Sequence, residues 1–155
     1  MKFSHIEGDK ARMVDISSKE EVSRRAKASG EIQLKPETIE AIKNKEIIKG
    51  SVLETVRIAS IMAIKNTSSV IPMCHQLPIT GIDVQFDLGH DKVKVTVDVR
   101  TIGKTGVEME ALHGVSVALL TIWDMVKSAE KDKTGNYQFT KIKNIIVLEK
   151  VKEER

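Results

Sequence analysis

The stretch TGVEMEALHGVSVALLTIWDMVKSAEK, residues 105–131, has the apolar density of a buried helix, yet it carries Glu108 and Glu110 at its start and Asp124 and Lys127 near its end. Charged side chains on a buried helix are costly unless they are paired or used. Asp124 and Lys127 stand at i, i+3 and therefore share a face. That spacing commonly makes an exposed ion pair; inside a site it offers a carboxylate and an ammonium that can pass protons. Glu110 lies within roughly 40° of Asp124 around the axis but about 21 Å from it along the axis. One small ligand does not span that length. Two antiparallel copies of the helix would set the Glu end of each beside the Asp–Lys end of the other, which predicts a symmetric dimer with sites at its interface.

Three further stretches carry reactive residue types. In IPMCHQLP, Cys74 and His75 are adjacent between two prolines. Without spaced partners they are a poor metal signature, and a packed thiol beside a hydrogen-bonded imidazole is the plainer expectation. TIGKTGVE invites comparison with a phosphate-binding loop, but Asp98 stands where that motif requires its first glycine. What remains is a strand running through Gly103 and Gly106 into a helix N-terminus. Such a terminus favours an anion, or is simply a capped turn with Lys104 in solvent. Arg24 shares strand parity with Ala26, Ala28, Gly30, Ile32 and Leu34, so it aims toward the buried side. An arginine so placed meets a carboxylate or phosphate, or else reaches solvent from the strand end.

The composition narrows the function classes. With 155 residues, 41% apolar and 30% charged, the chain suits one soluble globular domain. Its apolar run GVSVALLTIW is too short to span a bilayer and ends at Asp124, and MKFSHIEGDKAR is not a signal peptide, so no membrane association and a cytoplasmic location are expected. One cysteine gives neither a disulfide framework nor a zinc cage. A net charge of +3, with both signs interleaved, suits a small anionic ligand. Aromatics at 3% leave no stacking platform for nucleic acid, which is not expected as a partner.

The elements that must hold these residues follow from periodicity. Residues 1–12 are polar and are expected to form a flexible segment ahead of one domain, 13–155. RRAKASGEIQL alternates as a half-buried strand, and Pro36 opens a short helix. VLETVRIASIMAIKN has helical spacing with a wide apolar face. GIDVQFDLGHDKVKVTVDV reads as a hairpin turning at Gly89-His90-Asp91, with Ile82, Val84, Phe86 and Leu88 on one parity and Val93, Val95, Val97 and Val99 on the other strand's matching parity. The long helix follows, and YQFTKIKNIIVLE supplies a last strand. In order this is βαββαβ, an α+β ferredoxin-like arrangement with a four-stranded antiparallel sheet and helices packed on one face.

Four segments, MVDIS, KGSVLETVRIASIMAIKNTSSVIPMCHQLPIT, KTGVEMEAL and LTIWDMVKS, together resemble the cyclic pyranopterin monophosphate synthase family over roughly residues 13–149, in unbroken order. The resemblance implies a lyase of molybdenum cofactor biosynthesis. Such an enzyme rearranges a cyclised GTP derivative, supplied by a radical-SAM enzyme, to cyclic pyranopterin monophosphate and expels pyrophosphate. It implies hexamers built as trimers of dimers, and neither cofactor nor metal. The family's motif aspartate and lysine fall on Asp124 and Lys127, and the lysine of its KG step on Lys49; these three are implied to be catalytic. Its substrate-contacting pieces fall on Met73, Cys74, His75, Met109 and Glu110, while Lys65, Arg24 and Glu108 sit where the family lines its pocket. The cations Lys49, Lys65, Lys127 and Arg24 would offset the charge of a triphosphate and of departing pyrophosphate. Two departures stand out. Gln76 follows His75 where the family commonly reads CHPL, and the chain ends LEKVKEER in place of a Gly- and Lys-rich tail, so closure over the triphosphate is expected to be weaker or supplied otherwise. The competing function is a non-catalytic ferredoxin-like regulatory module that binds a nucleotide or pterin in the same basic pocket.

Overall fold

The structure is a computed structural model that describes residues 6–7 and 10–153. Within the segment expected to be loose, residues 1–5 and 8–9 lie outside the described residues, and β1 (Ile6–Glu7) pairs antiparallel with β2 (Lys10–Ala11). The body of the chain runs β3 (Val22–Gln33), α1 (Pro36–Lys43), α2 (Val52–Lys65), α3 (Thr67–Val70), β4 (Ile79–Leu88), β5 (Lys92–Gly103), α4 (Glu108–Glu130) and β6 (Lys141–Glu153). The sheet order is β4-β5-β3-β6 and every neighbouring pair is antiparallel. β5 therefore lies between β3 and β4, which the helical connection joins. This is the ferredoxin-like split βαβ topology read from the sequence.

Alternation along the two central strands explains which face is covered. Ala26, Ala28, Gly30 and Ile32 of β3 stand opposite Val99, Val97, Val95 and Val93 of β5, and the seven of these that have side chains are fully buried under the helices. The other parity is polar: Arg25 pairs with Asp98, its Nε 2.9 Å from each carboxylate oxygen, and Lys92 with Glu31 at 2.8 Å. That contact with Arg25 holds the Asp98 carboxyl below the usual carboxylate range.

Two glycines let the layers close. A Cβ on Gly30 would lie 2.7 Å from Leu119 and 2.8 Å from Val115, so α4 seats directly on β3 there. A Cβ on Gly114 would lie 2.7 Å from Ile64, and Ser60 donates to the Gly114 carbonyl at 3.0 Å, fixing α2 against α4. By length and composition α4 would suffice to cross a membrane, which its short apolar run alone did not suggest. Its apolar residues Ala111, Val115, Ala118, Leu119 and Ile122 are fully buried in the core of this fold. The last strand begins at Lys141 instead of Tyr137, because residues 131–140 form a loop folded on Asp132, whose Oδ1 accepts from Thr134 N–H at 2.8 Å and Asn136 N–H at 3.0 Å.

Candidate active site

The two ends of α4 carry two distinct clusters. At its C-terminal end, Asp124 accepts from Lys127 Nζ at 2.8 Å through Oδ1 and from Lys49 Nζ at 2.9 Å through Oδ2. The i, i+3 spacing accounts for the first contact. The second depends on the fold, since Lys49 sits in the turn before α2, just ahead of Gly50, whose φ of +102° suits glycine. Lys49 also donates to the Asp124 carbonyl at 2.7 Å, so it is aimed at this residue twice. With Lys127 and then Lys49 donating to it, the Asp124 carboxyl is lowered to about 2, while Asp124 holds the Lys127 ammonium above its usual value. The pair thus stands as carboxylate and ammonium throughout the physiological range. Leu120, Trp123, Tyr137 and Ile142 complete an open cleft of about 370 Å³ with these two charges.

At the N-terminal end of α4, Met73, Cys74, His75, Met109 and Glu110 meet in one cavity of about 280 Å³. Glu110 is only 4% exposed, and burial pushes its carboxyl upward. Burial, then the nearby Glu110, likewise raises the Cys74 thiol, so this cysteine is not an activated thiolate. His75 Nε2 lies 2.7 Å from the Val14 carbonyl. A carbonyl only accepts, so Nε2 carries a proton and donates it to Val14 O. A smaller recess of about 50 Å³ shares His75, Leu77 and Glu110 with this cavity and brings in Lys65 from the end of α2.

Arg24 and Glu108 frame the same end. Arg24 is half-buried and makes its hydrogen bonds to main-chain carbonyls: its Nε donates to Gly103 O at 2.8 Å and its Nη2 to Lys104 O at 3.2 Å. It thereby fixes the turn whose Thr105 and Gly106 line the cavity. Glu108 folds back over Gly106, leaving no room for a Cβ there, and pairs with Lys150 of β6. The anion found at this helix start is the chain's own carboxylate. Lys104, at the surface, donates to Ser17 O at 2.9 Å.

All eleven residues singled out in the sequence thus fall at one or other end of α4: three at the C-terminal cluster and eight at or beside the N-terminal cavity. Within one chain the two ends stay apart. The sequence reading missed Val14, Ile16 and Lys19, which also line the cavity, although MVDIS carried part of the resemblance. It also missed Tyr137, whose ring meets Trp123 edge-on at 5.3 Å. Among the described residues, no three His, Cys, Asp or Glu side chains converge so as to hold a metal ion.

Comparison with known proteins adds to this geometry. The family model described as the MoaC family matches residues 13–153. A protein of Methanosarcina acetivorans named probable cyclic pyranopterin monophosphate synthase is 63% identical over 150 residues, covering 97% of this chain and 95% of its own. Proteins with the same name are 56% identical in Pyrococcus furiosus, over 100% of this chain and 99% of theirs, and 57% identical in Archaeoglobus fulgidus, over 98% and 97%.

Proposed function

The chain belongs to the MoaC family, and on that premise we propose that it is a cyclic pyranopterin monophosphate synthase of molybdenum cofactor biosynthesis. The substrate is the cyclised GTP derivative that a radical-SAM enzyme supplies, and pyrophosphate is the leaving group. The observation that supports this reading best is the Lys49–Asp124–Lys127 cluster. Rearranging a pterin precursor calls for protons to be moved between ring and ribose atoms, and a carboxylate held between two ammonium groups can serve both directions. With Lys127 protonated and Asp124 ionised, the lysine holds the proton to be given and the carboxylate the site to take one. Their contact makes Lys127 a weaker acid and Asp124 a weaker base until substrate displaces it.

The cations have a second task. Lys49, Lys65 and Lys127 offset the charge on the triphosphate and on the departing pyrophosphate. Arg24 contributes through the Gly103–Gly106 turn that it fixes, and Glu110 with His75 orients the base in the cavity at the start of α4. Because the two clusters lie about 21 Å apart along α4, each site draws on two subunits arranged with these helices antiparallel. The assembly is a hexamer made of three such dimers, working in the cytoplasm.

The test is incubation of the purified chain with the cyclised GTP derivative, following pyrophosphate release and formation of the cyclic monophosphate. Equal amounts of both products support the proposal. Tight binding with no pyrophosphate release sinks it and leaves a regulatory module that senses the same ligand.

A further inference from the structure

The carboxylate of Glu130 is out of place by ordinary helix rules. It sits at the last turn of α4, where the exposed carbonyls disfavour an anion, yet it is only 1% exposed. It belongs to neither cluster described above. Its oxygens receive the main-chain N–H of Lys35, at 3.1 Å from Oε1 and 3.4 Å from Oε2, and the hydroxyl of Thr140. Lys35 is the N-cap of α1 and makes no capping bond with its own side chain; its ammonium instead donates to Ala129 O at 2.9 Å. Glu130 therefore brings to the start of α1 a buried hydrogen-bond acceptor that the N-cap Lys35 does not supply, in addition to Glu37 in the first turn. Thr140 closes the far end of the loop that follows α4. One buried carboxylate thus fastens the end of α4, the start of α1 and the entry to β6.

The loop between is braced internally. Asp132 Oδ1 accepts from the Thr134 hydroxyl at 2.6 Å as well as from two main-chain N–H groups, and Gly135 takes a φ of +83°. So braced, the loop delivers Tyr137 to Trp123 with the ring planes 66° apart. Tyr137 is then a wall of the cleft that holds Asp124 and Lys127.

We infer that Glu130 is a positioning residue for this site: by clamping Lys35 and Thr140 it holds loop 131–140 so that Tyr137 stands beside Asp124 and Lys127. The inference rests on the proposed function for the reaction it serves, but the clamp itself can be read without turnover. The chain has one tryptophan and one tyrosine, so Trp123 emission and near-ultraviolet circular dichroism report their packing directly.

The experiment compares Glu130→Ala, Glu130→Gln, Thr140→Val and Tyr137→Ala with the unaltered chain. Glu130→Ala and Thr140→Val should redden Trp123 emission and weaken the near-ultraviolet bands, as should Tyr137→Ala. Each should lower kcat by on the order of tenfold with a smaller change in KM, the scale of a misplaced site wall. Glu130→Gln, which keeps one acceptor oxygen, should recover most of both signals. A Glu130→Ala/Tyr137→Ala double variant should be no slower than Tyr137→Ala, because the two act in one chain of effect. If Glu130→Ala does not fold, Thr140→Val and Glu130→Gln still decide the matter. Unchanged Trp123 spectra in Thr140→Val and Glu130→Ala, or kinetic losses that multiply in the double variant, overturn the inference. An unaltered chain without turnover would sink the proposed function alone, and the spectra would still settle the clamp.

Discussion

Lys49 reaches Asp124 from a different element and binds it twice, at the carboxylate and at the main-chain oxygen, 2.9 and 2.7 Å away. An exposed ion pair formed only by side chains would contribute little and shift readily. Here the second bond fixes the lysine to the helix itself, so removing the carboxylate leaves Lys49 in place without its counter-charge. Asp124→Asn should therefore keep the shape of the cluster and abolish the proton acceptor. Turnover should fall by about a hundredfold or more, the scale of a lost acid–base group, while substrate binding falls less. Lys127→Ala should stop turnover too, and the double variant should be little worse than either single one if the pair works as a unit. Single-turnover rates beside melting curves check this. Near-normal rates with lowered melting temperatures would reduce the cluster to a salt bridge.

The charge states give a pH test with two opposite signs. The folded-state pKa of Asp124 is lowered from 3.8 to about 2, so its contribution is present above 3.8 and is lost as pH falls toward 2. Glu110 is shifted the other way by burial, so the folded protein takes up its proton first. Its cost to stability is therefore present at neutral pH and relieved as pH falls toward 4.5, the ordinary glutamate value. Glu110→Gln should melt no lower than the unaltered chain at neutral pH and should lose that relief on acidification. Asp124→Asn should differ from the unaltered chain above pH 4 and converge with it near pH 2. Melting temperatures measured from pH 2 to pH 8 separate the two. Parallel curves for either variant would contradict its assigned shift.

Much of this was legible in the sequence, and the part that was not has a physical reason. Strict alternation in β3, β4 and β5 determines which side chains face the helices, so topology and core followed from the pattern. Asp124 and Lys127 were visible as a pair because i, i+3 spacing is local. Lys49 joins them only through the turn before α2, so its role came from the resemblance alone. Arg24 was placed on the right face, but its partners are carbonyls of Gly103 and Lys104, and main-chain acceptors leave no mark in residue types. Glu130 and Tyr137 escaped notice for the same reason. One caps a helix distant in sequence, and the other lies in what alternation alone had read as the start of β6.

Pyrophosphate should bind as a competitive inhibitor, more weakly as salt rises, since its charge is offset by partly exposed ammonium groups. Lys49→Ala should weaken that binding directly. Arg24→Ala should weaken it by loosening the Gly103–Gly106 turn, and so should also increase hydrogen exchange at Lys104 and Thr105. Calorimetric titration at two ionic strengths, with exchange measured on the same samples, tests both. Unchanged affinity in both variants would remove these residues from the phosphate-binding end.

Packing at Gly114 should limit the whole site, because it sets the distance between α4 and the helix that ends in Lys65. A methyl there would press to 2.7 Å of Ile64 Cγ1 and 3.1 Å of Ser60 Oγ. Gly114→Ala should cost about 1–3 kcal/mol, as overpacked cores do, and lower Tm by several degrees. A stability equal to that of the unaltered chain would mean α2 can move aside freely.

The strongest test of shared sites uses two inactive proteins. Glu110 and Asp124 lie on one helix about 21 Å apart, too far for one small substrate to touch both within a subunit. If the sites form between antiparallel helices, each combines Glu110 of one subunit with Asp124 of the other. Leu120, 59% exposed between the two ends of α4, offers an apolar surface for that contact. Glu110→Gln and Asp124→Asn homo-oligomers should each be nearly inactive. After subunit exchange, a mixed dimer has one site carrying both substitutions and one carrying neither, so activity should return to as much as about half per mixed dimer. Native mass spectrometry would count the mixed dimers and pyrophosphate release their activity. Mixed dimers that form but stay inactive would place each site within a single chain.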